Sequence, residues 1–496
     1  MGVSLYTSRV VLQKLGVQDY GIYSVVGGVV AMFGFLNASI SGATQRFLNF
    51  ELGKNDKIAV QKVFSMSLLI HGSIAIIIIL LAETLGLWFL QTKMNIPNER
   101  MDAAFWVYQL SILSCVIMIV SVPYNALIIA HERMNAFAYV SIVEVVLKLL
   151  VVYIIDLLIY DTLILYALLL CAVQILIRVI YGIYCKCFFE ESVFRLFWDK
   201  QLFKKMTGIA FWTMNGNLAF LGYTQGLNIL LNLFFNPAVN AARGISLQVQ
   251  NAVMGLCRNF QTAMNPQITK SYAINDLPYM HNLIITGSRF SFFLLFFISL
   301  PILFETEFLL NFWLKTVPEH TTSFVRLILI ISMSEALSRP LITAVYATGH
   351  LRTFQLIEGS ISLFIIPVSY LFLRLGFVPE IVFIVHLCIE MITQCARIAI
   401  VCPMIQLSKW IYCKQVLKQT AIVLILSPII PIFIKWVLHS STRWQWNFIA
   451  VSICCCVSTA FCSYLFGMNR NEKIMVKNKL RLIFNHTLLV NLITKK

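Results

Sequence analysis

The residues able to do chemistry in this chain are set into very apolar surroundings, and arginine leads them. Arg9 stands in MGVSLYTSRVVLQKLG, residues 1–16, on the same helical side as Tyr6 and Gln13. Further on come Asn240, Arg243, Gln250, Asn251, Arg258, Gln261 and Asn265. Placed at 100° per residue they fall within a sector of roughly 100°, a polar stripe along one whole helix. Arginine presents a planar fork of donors suited to a dense anion such as phosphate, and rows of amides and hydroxyls suit a sugar. Thr224, Asn228, Asn232 and Asn236 recur at steps of four, as do Asn37, Ser41 and Gln45. Two readings stay open for these rows: they line a wet cavity, or they hydrogen-bond between helices. For Arg9 the alternative is a side chain that snorkels to a headgroup.

Acids within apolar segments are fewer. Glu144 with Lys148, and Glu335 with Arg339, are four apart, the spacing of an internal ion pair on a helix. His386, Glu390, Gln394 and Arg397 form a one-sided row. A histidine and an acid at depth are candidates for relaying a proton or sodium ion; the alternative pairs Glu390 with Arg397. No GxxxxGK, HExxH or GxSxG motif occurs. The 13 cysteines show neither metal-ligand spacing nor a pairing pattern and read as small apolar packing residues. The expectation is a protein with no catalytic residues, no metal and no cofactor.

Elements of membrane length must position these groups. Hydrophobic residues make up 59% of the chain and charged residues 12%, and mean hydropathy is +0.82, whereas ordinary soluble domains are roughly 25% charged. Apolar runs of the roughly 20 residues that cross a bilayer recur throughout, and they do not alternate as barrel strands would. About fourteen spans result: 1–14, 20–42, 63–90, 105–130, 137–160, 162–185, 208–233, 240–264, 283–310, 323–347, 354–375, 380–402, 415–438 and 445–467. With the amino terminus inside, the inner loops and tail hold most of the basic residues, including Lys54, Lys57, Lys62, Lys200, Lys204, Lys205 and Arg470. Both termini are therefore expected in the cytoplasm. The net charge of +16 fits cytoplasmic loops and anionic lipid, not nucleic acid. The opening stretch has no n-region and no cleavage site, so no cleaved signal peptide is expected.

The chain also echoes itself. VPYNALIIAHERMNAF (122–137) and RPLITAVYATGHLRTF (339–354) match at an offset of 217, which sets Pro123 on Pro340, Ala130 on Ala347 and Phe137 on Phe354. A repeat of six spans keeps its orientation, so the halves should be parallel, with a site between them. The resulting division is 1–185 for an N-terminal lobe, 186–207 for a cytoplasmic linker, 208–402 for a C-terminal lobe, 403–468 for two further spans and 469–496 for a basic tail. That tail reads either as an interfacial helix on the inner leaflet or as a solvated end.

The stretch SRVVLQKLGVQDYGIYSVVGGVVAMFGFLNASISGATQRFLNFELGK (8–54) resembles the opening of bacterial Wzx-type polysaccharide flippases of the multidrug/oligosaccharidyl-lipid/polysaccharide exporter superfamily. PYNALIIAHERM (123–134), NPAVNAARGISLQVQNAV (236–253) and the 6 + 6 + 2 span count extend the resemblance over nearly the whole chain. It implies an all-α polytopic membrane protein whose two six-helix lobes form a V around a cationic cavity. Such a protein resembles a non-enzymatic machine that turns an undecaprenyl-pyrophosphate-linked oligosaccharide to the periplasmic leaflet of the bacterial inner membrane by alternating access, for O-antigen or other surface polysaccharide. Family cavity arginines map onto Arg9, Arg46, Arg243, Arg258 and Arg289, and Asn228, Asn232 and Asn251 join them as ligand contacts. His386 and Glu390 are the ion-coupling candidates. The family's first helix starts further upstream, so the first span reads as truncated. Expected partners are the lipid-linked oligosaccharide, membrane lipid, and the polysaccharide polymerase and glycosyltransferases of the same assembly. A cation-coupled drug exporter of the superfamily is the alternative, and a membrane polymerase or ligase a third; the arginine excess argues against the one and the lack of a large outer loop against the other.

Overall fold

The computed structural model describes residues 10–11, 14–16, 19, 22–23, 26, 34–92, 96–155, 161–235, 237–314, 317–438, 444–474 and 477–478. Arg9 and the greater part of the first span lie outside them. Long helices occupy the places expected of spans three to fourteen, and one more, Gly34–Gly53, overlaps only the end of the second, expected at 20–42. They are α1 Gly34–Gly53, α2 Lys57–Thr92, α3 Asn98–Ala130, α4 Met134–Ile154 and α5 Thr162–Phe188, then α6 Lys200–Phe234 and α7 Pro237–Ala273. After these come α8 Leu277–Phe304, α9 Thr321–Thr348, α10 Leu351–Arg374, α11 Ile381–Met404, α12 Lys409–Val437 and α13 Asn447–Gly467. Ten of the thirteen are long and apolar enough to cross a membrane. The exceptions are α1, α6 and α7, which carry the rows of amides, hydroxyls and arginines. The chain is thus an all-α, multi-pass membrane protein.

Local chemistry sets the helix ends. Asp56 accepts from the Ala59 N–H at 2.9 Å, and Asp161 from those of Leu163 and Ile164 at 3.0 and 3.2 Å, satisfying donors that a helix start leaves open. The 186–207 linker is shorter than the sequence suggests, because α5 continues to Phe188 and α6 begins at Lys200, capped by Asp199 through the Gln201 and Leu202 N–H groups. Inside α2, a π-turn at Ala82–Gly86 meets Tyr108, whose hydroxyl donates to the Ala82 carbonyl at 2.8 Å. A side chain at Gly86 would strike that hydroxyl.

Packing groups the residues into two compact units, along other lines than the sequence division. The first comprises Met1–Tyr223, Thr262–Met280 and Thr343–Leu363; the second comprises Thr224–Gln261, His281–Ile342 and Phe364–Lys496. In the first, α1, α2 and α5 pack against α3. In the second, α12 packs against α13, and α11 against the last turns of α10.

Turn chemistry recurs between the sequence halves. Asn55 and Asn275 both take left-handed backbone, φ 58° and 61°, and each precedes an aspartate that caps the next helix, Asp56 to Ala59 and Asp276 to Tyr279. Glu132 and Gly349, separated by the same 217 residues as the sequence echo, are both left-handed, φ 59° and 78°. At the opposite helix ends, Arg100 pairs with Asp161 at 2.5 Å and with Asp19, while His320 pairs with Glu380 at 2.6 Å.

Candidate functional site

The polar stripe of α7 splits in two. Arg243, 3% exposed, donates to the Thr224 carbonyl at 3.0 Å and to Asn228 Oδ1 on α6, and Asn228 donates to Gln225 at 3.0 Å. Gln250 donates to Ser332 Oγ at 3.0 Å; Gln261 donates to Ser291 Oγ at 3.0 Å and to the Ala336 carbonyl at 3.3 Å. Asn251 and Arg258 are exposed instead. On a helical wheel Arg243, Gln250 and Gln261 occupy one edge of the sector, and Asn251 and Arg258 the other, about 80° away. The first edge does what buried amides in membranes do, bonding helix to helix. The second is open to a ligand, and Arg258 lies within electrostatic reach of Arg339 and Glu335 on α9. Asn232, one turn beyond Asn228 on α6, is also exposed.

Other predicted site residues are committed elsewhere. Arg289 was expected in the cavity, but only 1% of its side chain is exposed. It bonds Glu472 at 2.5 Å, the Gly467 carbonyl at 3.0 Å and Gln419, tying α8 to the α12 and α13 ends. A guanidinium at such depth needs those partners. Glu390 and Arg397 form a buried pair at 2.5 Å, and Arg397 also donates to Ser338 Oγ at 2.9 Å. This is the ion-pair alternative for the α11 row. His386 is half-buried and within electrostatic reach of Arg243. Glu144 bonds Lys148 at 2.6 Å and accepts from Gln174 at 3.4 Å.

Arg46 belongs to a second arrangement, one that the sequence did not disclose. Its Nε and Nη2 donate to the Tyr346 and Ala347 carbonyls, both at 3.1 Å. Those are among the last carbonyls of α9, which a helix end leaves open and which carry the negative end of its dipole. Gly349, the left-handed cap of α9, leaves room for the guanidinium, since a Cβ there would lie 3.1 Å from Nη2. In the same unit, Glu132 in the α3–α4 turn accepts from Lys270 at 2.7 Å and from Gln267 at 3.1 Å, both on α7. Burial alone would raise the Glu132 carboxyl, but these donors outweigh it and hold it below the ordinary carboxylate value. Gly53 on α1 lies so close to α7 that a Cβ would meet Lys270 Cα at 2.8 Å and its carbonyl oxygen at 2.9 Å. Asn217 on α6 donates to Ser39 on α1 at 2.9 Å. Helices of the first sequence half are thereby locked to helix ends of the second. The signals in the sequence are the acid in AHERM and the Asn-Asp pairs at 55–56 and 275–276.

No family model matches the chain, and no curated protein does. Solved structures do. A MATE crystal structure in the straight conformation is 13% identical, covers 82% of this chain and 92% of its own, and superposes with a TM-score of 0.68. An outward-facing multidrug resistance MATE family transporter of the MOP superfamily is 12% identical, with 82% and 93% covered and a TM-score of 0.69. A MOP superfamily transporter from Pyrococcus furiosus, described as having a binding pocket whose reverse polarity suggests a different function, is 12% identical, with 82% and 93% covered and a TM-score of 0.67. At such identity the likeness is one of fold, and the fold of this multi-pass membrane protein is that of MATE transporters.

Proposed function

We propose that the protein is a MOP-superfamily transporter that turns an undecaprenyl-pyrophosphate-linked oligosaccharide from the cytoplasmic to the periplasmic leaflet of a bacterial inner membrane, for surface polysaccharide assembly. The observation that carries this reading is the exposed edge of α7, where Arg258, in electrostatic reach of Arg339 and Glu335, stands on the same side as exposed Asn251. A pyrophosphate takes charge-assisted hydrogen bonds from guanidinium groups, amides serve the sugar hydroxyls, and the polyprenyl tail stays in lipid. Arg9 is assigned to the same task on the strength of its polar helix side. On this reading the bonds of Glu132 to Lys270 and of Arg46 to the α9 carbonyls are the contacts that would part during alternating access.

A second reading, export of an organic cation coupled to protons or sodium, is favoured by Glu335 beside the open edge and by the likeness to a multidrug MATE transporter. Binding separates the two. A hydrogen bond to a charged group contributes about 1.5–3 kcal/mol, so Arg258→Ala and Arg9→Ala should each weaken binding of undecaprenyl-pyrophosphate oligosaccharide to purified protein by roughly ten- to a hundredfold. Lysine, which keeps the charge and loses the fork, should fall between. Wild-type-like binding in both alanine variants, with tight binding of an organic cation, would overturn the flippase reading.

A further inference from the structure

Between Phe188 and Lys200 the chain makes one short turn, Glu190–Ser192, and then runs without regular structure to Asp199. This segment is held against α2. The Val193 carbonyl accepts from Gln61 at 3.2 Å, and the Arg195 N–H donates to Ser65 Oγ at 3.2 Å. Two residues of the strap thus advance with four residues of α2, about 6 Å along the helix axis, toward its apolar run. The start is fixed by Glu191, which bonds His131 at 2.6 Å, and by Phe189, stacked on the His131 ring at 4.1 Å.

Its outward side chains are not those of a solvated loop. Leu196 is 84% exposed, Trp198 64% and Phe194 47%. Lys62, Arg195, Lys200 and Lys204 are exposed around them. The neighbouring acids are already engaged: Glu190 with Lys57 at 3.1 Å, Glu191 with His131, and Asp199 with the start of α6. Tryptophan favours the headgroup level of a membrane, apolar tips bury at the acyl boundary, and basic side chains attract anionic headgroups. Backbone outside a helix is excluded from hydrocarbon, where its polar groups go unpaired, but not from the wetter interface.

We infer that residues 194–204 form a lipid-binding strap that sets Phe194, Leu196 and Trp198 at the headgroup level among anionic lipids, anchoring the segment that joins the two halves of the chain. The inference holds whichever solute is carried. Full-length protein is reconstituted into phosphatidylcholine vesicles containing brominated phosphatidylglycerol or, at equal mole fraction, brominated phosphatidylcholine. The difference in tryptophan emission between wild type and Trp198→Phe isolates the strap. That difference signal should be quenched, more strongly by the anionic lipid. In the combined Lys62→Gln, Lys200→Gln and Lys204→Gln variant the anionic preference should fall by roughly fivefold per lysine. High salt should weaken it in the wild-type protein without any substitution. A difference signal that neither lipid quenches, or that both quench equally in wild type, overturns the inference. So does a preference indifferent to both charge removal and salt, or one abolished only by an added acidic protein.

Discussion

Replacing Glu132 with glutamine tests the lock directly. The carboxylate and Lys270 Nζ stand 2.7 Å apart, with side chains 34% and 25% exposed, and Gln267 donates to the second oxygen at 3.1 Å. An exposed pair contributes 1 kcal/mol or less, and removing one partner of a buried pair costs about 3–5 kcal/mol. About 1.5 kcal/mol is therefore reasonable for this half-buried site, which shifts a closed-to-open equilibrium about tenfold. Spin labels at Lys54→Cys and His350→Cys, both exposed turn positions in the same unit, report the change as a longer-distance population. Adding Arg46→Gln should enlarge it. The sign of the pH dependence follows from the lowered Glu132 carboxyl: a depressed acid stabilises the closed pairing above its ordinary value of about 4.5 and loses that contribution as pH falls through the lowered one. His131 is held below the usual histidine value by burial, against the pull of Glu191. The closed population should be flat from about pH 8 to 5 and fall below that range. Identical distance distributions in Glu132→Gln and wild type would refute the lock, and a transition centred near pH 6.5 would refute its assignment to Glu132.

Three further substitutions separate structural from functional groups. Gly53→Ala places a methyl against the backbone of Lys270 at 2.8 Å; overpacking of about 1–3 kcal/mol should open the same label pair. Arg289→Met leaves Glu472 without its buried partner and should lower stability by about 3–5 kcal/mol, read as a fall in Tm of the detergent-purified protein. Lost transport with an unchanged Tm would return Arg289 to the cavity. Glu390→Gln weakens a buried pair with Arg397; if Glu390 also carries an ion, transport driven by an ion gradient should fall while substrate binding persists, and transport unchanged across pH and sodium would make the pair purely structural.

Helix number and place were legible because apolar length dictates them: α2 to α5 and α8 to α13 all coincide with apolar runs. The α7 stripe was also visible, since helical period alone places its seven polar residues in one sector. Its division into a bonded and an open edge was not, because the bonding partners, Ser291, Ser332 and the Ala336 carbonyl, come from α8 and α9. The Arg289 bond to Glu472 was hidden for the same reason, its acid lying 183 residues away. Nothing in the sequence marks Glu132, whose left-handed backbone recurs at Gly349 beside Arg46. Non-local partners are what a periodicity argument cannot supply.

The central claim is that the substrate is a lipid-linked anion. The most direct measurement reconstitutes the full-length protein in vesicles and follows, in parallel, the movement of undecaprenyl-pyrophosphate oligosaccharide between leaflets, by access of an added glycosidase, and the efflux of an organic cation. The account predicts glycolipid movement that Arg258→Ala slows by roughly ten- to a hundredfold and no cation efflux above protein-free vesicles. Cation efflux driven by a proton or sodium gradient, with the glycolipid stationary, would contradict it.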